Sequence, residues 1–132
     1  MGMITLLLDT HIFLWWLFDD HRLPAGIRKI IEEPENPVLV SSVSVWEITT
    51  KFRIGKLPKA SLVAKNVPAC IDNAGFQPLP VYPNHAQLAG AWTSPHRDPF
   101  DRMLAAQAKL EKIPLATVDK ALQNFPIKIH SR

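Results

Sequence analysis

A three-layer α/β/α fold with a central, mostly parallel sheet of about five strands is the architecture this chain predicts. Three observations predict it. Short apolar runs at Ile4–Leu8, Val38–Val40, Leu79–Val81, Leu115–Thr117 and Ile127–Ile129 lack clean polar alternation, as expected of strands covered on both faces. Helical patterns lie between them, which implies right-handed crossovers and a parallel sheet. The 12 prolines fall mostly between these segments and punctuate them.

Taken in order, the first strand ends at Asp9, and Thr10-His11 leads into an almost wholly apolar helix over His11–Phe18. Pro24–Glu33 opens with proline at a first-turn position and carries Ile27, Ile30 and Ile31 at helical spacing. A helix over Val45–Ile54 stops at Gly55, a residue suited to the turn that closes a helix. Ser61–Ala74 is amphipathic but interrupted by Pro68, which predicts two short helices or a kink. Asn84–Trp92 and Pro99–Lys112 complete the helices.

A length of 132 residues fits one domain over 1–132, large enough to bury a core without staples. Hydrophobic residues at 47% and charged residues at 20% match a soluble globular protein. The single Cys70 excludes an internal disulfide framework and a multi-cysteine zinc site, so a reducing cytoplasm is the expected compartment. The apolar N-terminal stretch lacks a basic leader region, and Asp9, His11 and Asp19-Asp20 interrupt it well short of a membrane span. A net charge of +3 is mildly basic; acids gathered in one cleft would leave the remaining surface more basic still.

Four carboxylates, Asp9, Glu47, Asp101 and Asp119, fall where a strand should end or a helix should begin. In an open α/β sheet such positions face one crevice. Each also has an ordinary structural explanation. Asp9 suits the N-cap of the following helix, and Thr10 could hydrogen-bond the carboxylate in either role. Ser44-Val45-Trp46-Glu47 matches a capping box, and Glu47 with Lys51 could form a surface pair one turn apart. Asp98-Pro99 is a near-ideal cap and first helical residue, which assigns Asp98 mainly to structure. Asp101, three residues further on, could merely complement the helix dipole, although His96, Arg97 and Arg102 flank it. Asp119 could cap a short helix beginning near Lys120. Four capping acids at one sheet edge would be a coincidence, so the joint reading is functional. Carboxylate oxygens without cysteine or paired histidines favour Mg²⁺ or Mn²⁺ over zinc. Phosphodiester hydrolysis is the natural use of such a site.

These residues resemble those of PIN-domain ribonucleases, specifically the VapC-type toxins of type II toxin–antitoxin systems. The carriers are Leu6-Leu7-Leu8-Asp9-Thr10-His11, Ser42-Val43-Ser44-Val45-Trp46-Glu47-Ile48, His96-Arg97-Asp98-Pro99-Phe100-Asp101-Arg102-Met103-Leu104-Ala105-Ala106-Gln107-Ala108, and Leu115-Ala116-Thr117-Val118-Asp119. The resemblance spans nearly the whole chain. It implies an endoribonuclease that arrests translation and depends on Mg²⁺ held by Asp9, Glu47, Asp101 and Asp119, with Asp98 standing beside Asp101 as a second candidate. It further implies an RNA substrate, a cognate antitoxin partner and a homodimer. Arg97, Arg102, Lys51 and Thr10 are the candidate substrate contacts. A haloacid-dehalogenase-type phosphatase would need a second Asp where His11 stands, and a phospho-accepting receiver domain would need an acidic pair nearer the strand than Asp19-Asp20. The alternative is a catalytically silent PIN-like module that binds nucleic acid or protein.

Overall fold

A strand buried on both faces needs apolar side chains pointing both ways, and the central strand carries nothing else. In the computed structural model, which describes residues 2–132, β1 (Leu6–Leu8) is wholly buried. Leu6 and Leu8 enter one core cluster with Ile12, Phe13, Ile27 and Val40, while Leu7 enters a second with Leu104, Ala105, Leu115 and Phe125. The missing polar alternation in this run therefore reports two covered faces.

The remaining elements are α1 (Thr10–Leu17), α2 (Ala25–Glu32), β2 (Val38–Ser41), α3 (Ser42–Arg53), α4 (Ser61–Lys65), α5 (Val67–Asn73), β3 (Gln77–Leu79), α6 (Pro83–Ala91), α7 (Pro99–Glu111), β4 (Leu115–Ala116) and β5 (Ile129–His130). Single 3₁₀ turns cover Pro58–Ala60 and Leu122–Asn124. All strand pairs are parallel, in the order β3-β2-β1-β4-β5, with Leu6 beside Val38 and Leu7 beside Leu115. The chain builds outward from β1 to β3, then crosses back to lay β4 on the other flank of β1. Strand order reverses between β1 and β4, which opens a crevice beyond the carboxyl ends of those two strands.

The expected five-strand α/β/α arrangement is the observed one, with shifts at individual ends. β1 starts at Leu6 rather than Ile4, because the Ile4 N–H donates to the Asn36 side chain (2.9 Å) and not to a neighbouring strand. The third strand lies at Gln77–Leu79, not Leu79–Val81. Pro80, lacking an N–H, ends it, whereas Pro78 is tolerated at the sheet edge. β5 is displaced to Ile129–His130, since the Ile127 N–H turns back onto Phe125 O. The helix beyond β2 begins at Ser42, with Ser41 as its cap, three residues earlier than the hydropathy pattern places it. It closes as expected at Gly55, whose φ of +83° allows Gly55 N to reach Phe52 O and Lys56 N to reach Lys51 O. The interrupted segment is indeed two helices, but the break falls at Asn66. Its side chain caps α5 and leaves Pro68 in the first turn of that helix. Among the described residues, no helix is long and apolar enough to cross a membrane.

Candidate active site

The carboxyl ends of β1, β2 and β4 deliver their next residues to the crevice at the strand-order reversal. Asp9 follows β1 directly, its N–H donating to Ala116 O (3.0 Å). It is also the N-cap of α1, accepting the Ile12 N–H at 2.8 Å. Its side chain nonetheless lines the crevice, so capping the helix does not remove the carboxylate from the cleft. At 5% exposure, burial pushes its carboxyl up to about 7, and the charges of Asp101 and Glu47 push the same way. The neighbouring Thr117 hydroxyl and the Ile12 N–H oppose that rise.

Glu47 lies in the second turn of α3 and is only 3% exposed. The capping-box alternative fails because Ser44 is buried inside the helix rather than at its start. Ser44 Oγ instead lies 2.9 Å from Thr10 Oγ1, and Thr10 Oγ1 donates to Glu47 Oε1. Lys51 Nζ donates to the other oxygen, Glu47 Oε2. The expected pair one turn apart is therefore formed, but in the cleft wall rather than on an open surface. Burial pulls the Lys51 pKa down, yet the contacts with Glu47 and the charges of Asp98 and Asp101 outweigh it and leave it raised.

The opposite wall is the start of α7. Asp98 caps it, accepting the N–H groups of Phe100 (2.8 Å) and Asp101 (3.1 Å) through one oxygen. Asp101, in the first turn, meets His96 Nε2 at 2.8 Å. Burial raises the Asp101 pKa, as do the charges of Asp98, Asp119 and Glu47, against the lowering effect of His96. Asp119 stands exposed beyond β4, its Oδ1 accepting the Ala121 N–H at 2.9 Å and its own N–H donating to Thr117 Oγ1. Trp46 and Phe100 join the two walls edge to face, with ring centres 4.9 Å apart.

Asp9, Thr10, Glu47, Lys51, Asp98, Asp101 and Asp119 thus line one cleft of about 70 Å³, together with His11. Two expected substrate contacts are not in it. Arg102 donates to the carbonyls of Ala89, Trp92, Ser94 and His96, so its guanidinium fastens the α6–α7 connection and does not line the cleft. Arg97 is exposed outside the cleft lining. Sequence reasoning missed Ser44, Thr117 and the His96–Asp101 pair. Thr117 is legible in retrospect as a polar residue ending a buried strand.

The donor set suits a hard cation: every facing oxygen is a carboxylate or hydroxyl, and burial, with a smaller push from neighbouring charges, raises Asp9 and Asp101. Among the described residues, no three carboxylates or histidines stand close enough to chelate an ion as arranged. Lys51 and His96 hold Glu47 and Asp101 in their place. A cation held by these acids would have to displace those two partners.

The fold and this cleft define a class: a doubly covered parallel α/β domain with converging acids at its topological reversal. A family model described as PIN domain matches residues 6–128, and the chain belongs to that family. Ribonuclease VapC16 of Mycobacterium tuberculosis is 39% identical over 62 residues, which are 47% of this chain and 43% of that protein. The match thus spans less than half of that relative's length. The DNA-bound VapBC structure from Salmonella typhimurium superposes with a TM-score of 0.68 at 20% identity, covering 97% of this chain and 98% of the matched one. The promoter-DNA-bound VapBC2 structure from Rickettsia felis gives 0.67 at 12% identity, covering 96% and 98%. At these identities the likeness establishes the fold.

Proposed function

We propose that the chain is a Mg²⁺- or Mn²⁺-dependent endoribonuclease, the toxin of a toxin–antitoxin pair. The observation that carries the reading is the convergence of Asp9, Glu47, Asp98, Asp101 and Asp119, from four separate segments, on one cleft. The partial identity to a protein named as a ribonuclease supports the activity, and the VapBC neighbours support an antitoxin partner.

Asp9, Glu47, Asp101 and Asp119 would hold the cation, with Asp98 beside them. When bound, such a cation makes water more acidic and stabilises negative charge on a phosphodiester. The chain's own residues do the positioning. Ile12 N–H and Thr117 fix Asp9, and Thr10 holds Glu47 in a single orientation. Burial raises the Asp9 carboxyl in the metal-free protein, so a bound cation would favour its ionised, ligating form. Lys51 presents an ammonium beside Asp98 and Asp101, where a scissile phosphate would enter. We further propose that the protein acts as a homodimer in the cytoplasm and arrests translation until its antitoxin binds.

The test is cleavage of single-stranded RNA with Mg²⁺, with chelator, and by an identically purified Asp9→Asn variant. Cleavage by the parent with Mg²⁺ alone is expected. Equal cleavage by the variant removes the assignment, and absence of cleavage by either favours the silent binding module. Growth arrest on induction, relieved by the product of an adjacent short reading frame, tests the toxin role.

A further inference from the structure

Beside the acid cleft lies a larger groove of about 600 Å³, and His11 lines both. One wall is the exposed face of α1, where His11, Trp15 and Phe18 recur at helical spacing. The His11 and Trp15 rings lie 6.1 Å apart, and the Phe18 side chain is among the exposed large apolar groups. The other wall is the stretch from Lys56 to Ala60. Its Lys56 and Lys59 are exposed and have no ion-pair partner among the described residues. Arg22 lies over the Trp15 ring with its guanidinium 5.1 Å from the ring centre, and both line the same groove.

We propose that this groove is the binding track for the nucleotides of single-stranded RNA that flank the cleaved bond. The proposal rests on the nuclease reading and adds where the substrate lies. An aromatic stripe opposite unpaired lysines is the arrangement that holds single strands: bases stack on flat rings while ammonium groups meet successive phosphates. The two lysines give the groove a positive balance, because Arg22 and Asp20, both lining it, neutralise each other. Continuity decides the occupant. A strand whose phosphate lies beside Asp9 and Thr10 passes over His11 into the groove without leaving the surface.

The experiment measures binding of a short fluorescent single-stranded RNA in the Asp9→Asn background, which separates binding from cleavage. Lys56→Ala/Lys59→Ala, on exposed positions, is expected to weaken binding about tenfold and to flatten the salt dependence by roughly 1.4 in log–log slope. Trp15→Leu, an apolar replacement at a position packed against the core, is expected to weaken binding about tenfold as well. Unchanged affinity and slope in both variants, or no RNA binding by the parent, overturns the track. The track is equally overturned if Phe18→Ser abolishes self-association in sedimentation while RNA affinity stays constant, which would assign the groove to a second copy of the chain. Failure of the nuclease reading looks different: groove-dependent RNA binding persists, yet the protein with Asp9 intact cleaves nothing.

Discussion

The two walls of the acid cleft hold their carboxylates by different means. On the α1–α3 side, Asp9 and Glu47 are buried, and each is gripped by side chains or amides of the surrounding fold. On the α7 and β4 side, Asp98 and Asp119 serve amides two or three residues away in their own turns, and Asp101 leans on a nearby histidine. The inner wall is therefore fixed by tertiary structure and the rim is organised locally, while burial and like charge raise one acid on each, Asp9 and Asp101. The chemistry proposed for the cleft should follow this division.

The sharpest way to break the comparison is Asp9→Asn, for which RNA cleavage is expected to fall about a hundredfold or more in a Mg²⁺-dependent assay. Loss comparable to that of a rim variant would erase the distinction. The same substitution has a stability signature in chelator. The folded protein retains the Asp9 proton up to about pH 7, whereas an unfolded chain releases it near about pH 4. The native state binds more protons across that window, so stability falls as pH rises through it and is level above. Asp9→Asn should flatten that slope and gain roughly 2–4 kcal/mol at pH 8, read by denaturant unfolding at both ends of the window.

Next in size is Arg102→Ala. Its four carbonyl contacts support the rim from behind, and their loss is expected to cost about 2–3 kcal/mol, with only partial rescue by Lys, whose ammonium lacks the planar fork. Glu47→Gln should then cut Mg²⁺ affinity about tenfold, seen as a smaller Mg²⁺-induced rise in Tm. A full Mg²⁺ response would reduce Glu47 to a partner of Lys51. The smallest effect belongs to Asp119→Asn: a Tm change under about 2 °C and an activity loss under about tenfold. A loss as large as that of Asp9→Asn would move Asp119 from rim to centre.

How much of the molecule is legible in its sequence depends on how local each signal is. Leu6–Leu8 and Leu115–Ala116 read as buried strands because burial on two faces is written directly in side-chain type. Asp98 reads as a cap because its partners are its neighbours. The start of α3 escapes such a reading, since Val43 and Ser44 face tertiary contacts that hydropathy does not register. Arg102 escapes it for the same reason: its four acceptors belong to a connection whose path depends on α6 packing against α7. Charge and type place the acids at one sheet edge, and spacing already offers Lys51 to Glu47; only the fold could say that this pair lies in the cleft wall and that His96 pairs with Asp101.

The brevity of the outermost strands has a consequence for association. β3 offers three residues, one of them Pro78, and β5 offers two. A foreign polypeptide attempting to extend the ladder sideways meets too few free amides to gain a foothold. Lateral growth into fibrils or swapped sheets is thereby discouraged, and any lasting assembly must be made through side-chain surfaces.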